Sequence, residues 1–444
     1  MNRNLYNLAV LVSIFGITST HADISLYKND NTSVDANIAA VTGIFYSKKN
    51  YIPAQEPSSK SWQEGYLQYG LGITQKLGHL GSLYAKANLV SAETWGDGDA
   101  GGYTDGSERA TKLEDAYIGW KSGQLLPWLG EDGLEISVGR QSVCLGDGFL
   151  ICADAPNVGH SPLLGEQFNR HGGGTYYLAG HRDFKDTAVI KIGGKNPLHG
   201  SLFTFKSNNA IQAYSRFVGA TLDYSRPEKG SLGLTVLHNS SIDQDFASRV
   251  SQIMQDRKGM NVYSLRGKSD LGIKNTEFSF EYAVQDKKNG NDASAGYIKA
   301  AYTFDTPWKP TTYYRYSRFS EQWDNLFIGA QEYGRWFQGE LAYNYSGPFN
   351  NNTQISNIGI SLTPNDKLTI GALAYDFSDL KNQNKTNYTG RELDLYALWT
   401  VTPHMTVSPV IGIYKPKVDL AHGGAQNGDN KTNVYTQLTL SYSF

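Results

Sequence analysis

Apolar and polar residues alternate along this chain with a period of two, and the last eleven residues show it most plainly. In Val434–Phe444, Val434, Thr436, Leu438, Leu440, Tyr442 and Phe444 share one parity, while hydroxyl and amide side chains dominate the other. Successive side chains of a strand point to opposite faces, so the pattern predicts a ribbon with one greasy and one polar side. The same pattern recurs upstream. Leu67, Tyr69, Leu71 and Ile73 alternate with Gln68, Gly70, Gly72 and Thr74; after the short LGHLGS stretch, Leu83, Ala85, Ala87 and Leu89 alternate with Tyr84, Lys86 and Asn88. Further strands are expected at 33–46, 112–121, 134–138, 175–180, 187–193, 232–237, 262–268, 277–285, 297–304, 311–319, 334–345, 355–362, 368–377, 392–400 and 406–414. Ribbons that are apolar on one face can enclose a polar bore in lipid only if they close into a cylinder, because a free edge would strand peptide groups where no water reaches. The fold class predicted is all-β: a transmembrane antiparallel up-and-down barrel with short turns at one rim and longer loops at the other.

Length and composition sharpen this picture. Residues 1–22 carry Arg3, an apolar run from Leu8 to Ile17, and small residues at Thr20 and Ala22. They read as a secretory signal peptide, leaving 23–444 as the barrel. No later stretch approaches the ~20 apolar residues of a membrane helix. Only 18% of the 444 residues are charged, and 29 Tyr, 18 Phe and 8 Trp supply material for interfacial girdles. At ~22–24 residues per strand and connection, an even number near 18 strands fits. A net charge of −2 speaks against a nucleic-acid partner. The expected partners are outer-membrane lipid and the barrel-insertion machinery. The terminal strand resembles the closing strand of bacterial outer-membrane barrels, and Tyr442 and Phe444 are the expected assembly signal.

Several segments carry candidate chemistry. Cys144 and Cys152 flank LGDGFLI and could bridge that loop in an oxidising compartment. The acidic loop 93–110 holds Asp97, Asp99 and Asp105 among glycines, hard oxygens that could ligate calcium, although the spacing is not that of an EF-hand. Nine histidines lie scattered without a ligand cluster, so no metal and no cofactor are expected. HGGG at 171–174 matches an oxyanion-hole string of lipases, but no G-x-S-x-G turn accompanies it. His160 and Ser161, adjacent on the chain, would point apart on a strand, and His181 is a lone alternative at the rim. The chain is read as no enzyme.

Transport fits better. By parity, Lys86, Lys191, Arg266 and Lys299 face the lumen, and Arg140, Arg170 and Arg182 sit in or beside loops that could fold inward. Arg315 and Arg318 have opposite parity on one strand, so only one of them can face the bore. Fixed cations in a pore attract anions. Inward acids, among them Asp115, Glu281, Glu340, Glu392 and Asp394, make the wall mixed, and Tyr84, Tyr117 and Tyr396 could form a track for sugar rings.

Four segments carry a resemblance to the alginate-export family of outer-membrane channels: Val138–Gly148 (VGRQ to GDG), Phe319–Ala330 (FSEQWDNLF to GA), Arg335–Tyr345 (RWFQGELAYNY), and Glu392–Pro416 joined to the terminal YTQLTLSYSF. The resemblance implies a monomeric barrel of about 18 strands whose arginine-rich lumen passes an anionic polysaccharide. Arg140 is the motif arginine that carries over, and Arg335 is a weaker one. The expected substrate is therefore an anionic polysaccharide, oligosaccharide or small organic acid, with a neutral oligosaccharide or general uptake porin as the alternative and a rim lipase or esterase as a distant one.

Overall fold

The computed structural model describes residues 24–444 except 54, 166, 167, 169–172, 228, 330–332 and 382–385. Nineteen strands form one sheet: Ile24–Lys28 (β1), Thr32–Ser47 (β2), Lys60–Lys76 (β3), Ser82–Gly96 (β4), Arg109–Lys121 (β5), Leu134–Gln141 (β6), Phe184–Ile192 (β7), Leu198–Lys206 (β8), Arg216–Arg226 (β9) and Gly230–Ser241 (β10) in the first half. Asn261–Ser269 (β11), Thr276–Asp286 (β12), Ala293–Thr303 (β13), Thr311–Phe319 (β14), Thr353–Asn365 (β15), Leu368–Asp379 (β16), Gly390–Thr402 (β17), Met405–Pro416 (β18) and Asn433–Ser443 (β19) complete it. Each strand from β2 to β19 pairs antiparallel with its neighbours in sequence, and β19 returns to β2 through Ser443↔Ala39 to Tyr435↔Ser47. The result is a closed ring of 18 strands.

The closing strand is shorter than the strand it meets. Beyond Phe444, whose N–H donates to the Ile38 carbonyl at 2.9 Å, the edge of β2 at residues 33–36 has no partner from β19. The short β1 pairs there instead, Ile24↔Ala36 to Lys28↔Ser33. At the same end His404 stacks on Phe444 with ring centroids 4.5 Å apart, and Tyr442 meets Phe444 edge-on at 5.2 Å.

The greasy parity faces outward. Leu71, Leu202, Leu234, Ile298, Ile358 and Leu395 are all exposed in mid-strand. Apolar side chains in that number, ringing the whole cylinder, form a lipid-facing belt. Trp128, Trp308 and Phe304, exposed near the short-turn rim, supply amphipathic rings for the interface. Connections alternate in length. The rim that carries both ends of the ring has turns as tight as 366–367 and 403–404, whereas the opposite rim carries 142–183, 242–260, 320–352 and 417–432.

Two expected strands are absent. Residues 175–180 form turns within the loop 142–183, and 334–345 enters a helical turn, Gly339–Ser346, in the loop 320–352. Both segments lie inside the barrel, buried on every side, so their alternating aromatics have no polar face to present. Gly339 has φ +88, and a Cβ there would lie 2.4 Å from the Glu392 carboxylate, so the segment turns where a strand would have run straight. The strands β8 and β9 were not anticipated, because His199, Gly200, Thr204 and Gly219 blur their alternation.

The outward belt yields a depth-dependent prediction. Leu234→Arg at mid-belt lowers the stability of the barrel by about 2–4 kcal/mol, whereas Leu198→Arg at the short-turn rim costs about 0–1 kcal/mol. Urea titrations in phospholipid vesicles measure both, and equal losses at the two positions would refute a lipid-facing belt.

Candidate functional site: a filled upper lumen above a basic vestibule

Two loops occupy the upper lumen. In 142–183, Cys144 and Cys152 are disulfide-bonded and close a hairpin whose tip carries Asp147 and Phe149. The second loop, 320–352, runs beside it: Cys152 N–H donates to the Phe327 carbonyl (2.7 Å) and Phe327 N–H to that of Leu150 (3.1 Å). Phe149 packs among Tyr297, Phe319, Trp323 and Trp336, and Phe327 packs among Phe184, Phe205 and Phe217. Ring-on-ring contacts of this density make the filler a small hydrophobic core inside the barrel.

Filler backbone buried this way must find hydrogen-bond acceptors without water. Carboxylates on the wall provide them. Glu64 of β3 accepts from Leu178 N–H (2.9 Å), Tyr177 N–H (3.3 Å) and Trp62 Nε1 (3.2 Å). Glu114 of β5 accepts from Arg182 and Asp183 N–H and pairs with His181 Nδ1 at 2.9 Å. Glu392 of β17 accepts from Leu341 and Ala342 N–H at 2.7 and 2.9 Å, and Asp394 from Glu340 N–H at 3.2 Å. The first turn of 339–346 thus points free N–H groups at two carboxylates, an arrangement that favours negative charge. Glu392 and Asp394, expected on the substrate path, face inward but are covered by the filler they hold. The loops also brace each other, since Tyr177 Oη donates to Glu340 at 2.5 Å. At the far wall the buried Arg257 is clamped by both oxygens of Asp324 at 2.6 Å.

Below the filler, toward the short-turn rim, lies a cavity of 460 Å³. Among the described residues, Arg266, Lys268, Lys299, Arg315 and Arg335 line it against Asp147, Asp223 and Glu277, five cations to three acids. Arg266 pairs with Asp223 and donates to Thr235 Oγ1 (2.6 Å); Lys268 and Lys299 share Glu277. Arg315, only 4% exposed, lies 5.0 Å over the Trp336 ring and donates to the Gly334 carbonyl (2.5 Å) and Gln338 Oε1 (3.0 Å). Among the described residues no carboxylate pairs with it, and its Nε has no acceptor. Tyr297, Tyr313, Tyr333 and Tyr396 form the aromatic part of the wall, and Tyr313 and Tyr396 lie flat where Gly359 and Gly371 of the neighbouring strands leave room.

Of the expected lumen residues, Arg266, Lys299, Arg315 and Tyr396 line this cavity, and Arg318 is exposed on the outer parity. Lys86, Tyr117 and Lys191 face the interior on the arc from β4 to β7. There Lys86 pairs with Asp115 (3.5 Å) and Lys191 with Glu135 (3.4 Å), and Tyr117 meets Tyr84 edge-on. Arg140 and Arg182 lie higher, against the filler: Arg140 beside Lys112, Asp154 and Asp183, and Arg182 on the Ala179 carbonyl. Arg170 lies outside the described residues. The residues that parity did not reveal are Trp336, on the segment 334–345 expected as a strand, Tyr333 just ahead of it, and Asp147 at the hairpin tip. Glu64 sits on the polar parity of β3 and was legible there. Glu114 was not, because a register shift opposite Ala87–Leu89 turns both Glu114 and Asp115 inward.

The other candidates are structurally engaged. Asp99 accepts from Gly101 and Thr104 N–H, and Asp97 from Ser61 N–H. Asp105, Glu108 and His160 bring ligand atoms within 4.8 Å of one another, but Glu108 is occupied by three backbone N–H groups. Ser161 Oγ donates to the Gly102 carbonyl, while His160 meets Ser107, so His160 and Ser161 form no nucleophile–base pair.

No protein-family model matches the chain, and no curated protein sequence matches it. The resemblance to the alginate-export family therefore gains no support from either comparison. Solved structures do match in fold. Acinetobacter baumannii OccAB1 superposes with a TM-score of 0.59 at 10% identity, covering 96% of this chain and 99% of that one. A BenF-like porin from Pseudomonas fluorescens Pf-5 gives 0.59 at 11% identity over 93% and 98%, and Pseudomonas aeruginosa OccK5 (OpdH) gives 0.56 at 9% over 92% and 98%. The shared architecture is that of outer-membrane porins, and with the lipid-facing belt it places the chain in the outer membrane.

Two predictions follow from the way the filler is held. Glu392→Ala leaves the N–H groups of Leu341 and Ala342 without acceptors, at about 1–3 kcal/mol for each buried group. The second loop then loosens, and single-channel recordings show larger, noisier conductance; an unchanged trace would deny Glu392 its anchoring role. The second concerns Asp154 of the first loop, which accepts from Ser207 Oγ (2.9 Å) and Asn208 N–H (2.7 Å). Burial raises its carboxyl to about 7, offset in part by those bonds. A raised carboxyl favours the protonated folded state, so the contact between 142–183 and 207–215 is strongest below the ordinary carboxylate range and weakens as pH rises through about 7. Amide exchange in 207–215, corrected for intrinsic rate, should slow at pH 5.5 relative to pH 8, and Asp154→Asn should abolish the difference.

Proposed function

We propose that the barrel is a passive outer-membrane channel for small organic anions, best suited to a carboxylate carried on a flat or apolar body. One observation carries this reading: Arg315 is buried at the edge of the cavity and, among the described residues, no carboxylate pairs with it. The other deeply buried arginine, Arg257, is neutralised in full by Asp324. A buried guanidinium without a counter-ion is costly in a low-dielectric site, and an anion entering the cavity would supply the missing charge. The surplus of cations along the vestibule draws anions toward it. Tyr313 and Tyr396 line the cavity with rings against which a planar solute could lie.

The filled upper lumen favours a small solute over a polymer. A polysaccharide needs a continuous bore along its whole length, and the packed rings of both loops stand in that path. The aromatic wall alone supports the second reading, a neutral oligosaccharide channel. The two readings separate on one side chain. In planar bilayers the wild-type channel should favour anions over cations, and benzoate should block it more strongly than benzyl alcohol. Arg315→Gln should lower anion preference severalfold and remove the distinction between the two blockers, whereas Lys274→Gln at the exposed rim should change neither. Cation selectivity in the wild type, or block by maltose-type sugars that ignores Arg315→Gln, would sink the anion reading.

A further inference from the structure

The outer wall carries a second unusual charge arrangement, at the long-loop rim of β7, β8 and β9. Asp186, Lys206 and Arg216 are direct cross-strand neighbours, Asp186↔Lys206 and Lys206↔Arg216. All three share the outward parity of Ala188, Leu202 and Val218. Two cations placed directly opposite each other repel, which destabilises a sheet unless an anion lies between them. Here one carboxylate serves both, and it pairs with Arg216 at 3.3 Å. Among the described residues Lys206 makes no ion pair, so the rung holds a net positive charge at the level where lipid headgroups begin.

Immediately beneath this rung the apolar belt is dented. Ala188, Thr204 and Ala220 form a floor of short side chains between Ile190, Leu202 and Val236, leaving a groove of 500 Å³ open to lipid. Another outward cation pair, Arg391↔Lys415, occurs on β17 and β18 beside Asp376. There the arrangement differs. Lys415 Nζ donates to the Asn430 carbonyl at 2.6 Å, Arg391 pairs with Asp376 at 2.8 Å, and the larger Leu393 and Ile413 stand directly below. Among the described residues, only the β7–β9 rung combines an underneutralised cation pair with an adjoining groove.

We propose that this face is a binding site for a phosphorylated lipid of the outer leaflet, with one acyl chain in the groove between β7 and β10 and its headgroup phosphate between Lys206 and Arg216. The groove alone would suit any chain, and the rung alone any anion. Together they select a molecule carrying both, with the phosphate one rung above its first methylenes. The proposal is independent of what crosses the lumen, since every residue in it faces lipid.

Native mass spectrometry of the full-length barrel in detergent tests it, using diphosphorylated lipid A, the same lipid A after dephosphorylation, and inorganic phosphate. The wild type should retain the diphosphorylated form at least tenfold more strongly than the dephosphorylated one, and inorganic phosphate not at all. Lys206→Ala with Arg216→Ala should remove that preference, while Asp186→Asn, by withdrawing the competing carboxylate, should strengthen retention. Ala220→Phe, which fills the groove without touching the charges, should weaken it severalfold. Arg391→Ala with Lys415→Ala should leave it within twofold. Circular dichroism and heat-modifiable gel mobility confirm that each variant is folded. Equal retention of the two lipids, indifference to Lys206 and Arg216, or equal sensitivity to Arg391 and Lys415 would overturn the site.

Discussion

Every part of this molecule answers to the requirement that a peptide group removed from water be hydrogen-bonded. On the outside the answer is geometric: β19 returns to β2, the ring has no free edge in lipid, and the overhang of β2 is taken up by β1. On the inside geometry alone does not suffice. The filler loops are too irregular to satisfy themselves by ladders, and the rings around them exclude water. Carboxyl groups answer instead, because each offers two oxygens with several lone pairs and can accept two or three N–H donors. Glu64, Glu114, Glu392 and Asp394 come from β3, β5 and β17, on one arc of the ring, so both loops are held against that side of the wall.

That use of acids also decides the electrostatics of the bore. Parity along the strands gives a wall of both signs, with no evident preference for one kind of ion. Depth separates them. Glu64, Glu114, Glu392 and Asp394 are buried and engaged by filler backbone in the upper lumen. The cations Arg266, Lys268, Lys299 and Arg315 lie below, facing the cavity. A bore that is balanced in sum is therefore polarised along its axis, and the filler is what polarises it.

The legibility of the sequence follows the same division. Wherever lipid lies on one side and water on the other, as for Phe278 to Gln285 or Leu393 to Trp399, side-chain period reports the fold directly: barrel, a strand number near 18 and the inward facing of Arg266 and Lys299 could be read, though not which of Arg315 and Arg318 turns inward. The filler escaped because period carries no meaning where both faces are buried. Leu341, Tyr343 and Tyr345 alternate as a strand would, yet they pack in a helical turn; only the pair Gly334 and Gly339, both with positive φ, hinted at a break. Glu392 and Asp394 illustrate a subtler loss. Their inward direction was plain from parity, but their task was not, since what covers a side chain comes from residues some fifty positions away. The inward turn of Glu114 was hidden for a third reason, a bulge that shifts parity by one.

The same side chain can thus brace or bind, and partners rather than residue type decide which. Arg257 and Arg315 are both buried and both stack on aromatic rings. Arg257 receives two carboxylate oxygens, Gln212 Oε1 and Ser215 Oγ, so its hydrogen-bonding capacity is nearly filled and it locks three loops together. Arg315 receives one carbonyl and one amide oxygen, both neutral, which orient the guanidinium without cancelling its charge. Orientation without neutralisation is what a binding group requires: the rotamer is fixed before the ligand arrives, and the charge remains for it. Both oxygens that fix Arg315 belong to the second loop, so the charge that would meet an anion is positioned by the filler, and the filler by the wall acids above it. Anchorage and selectivity are therefore mechanically coupled, although no residue takes part directly in both.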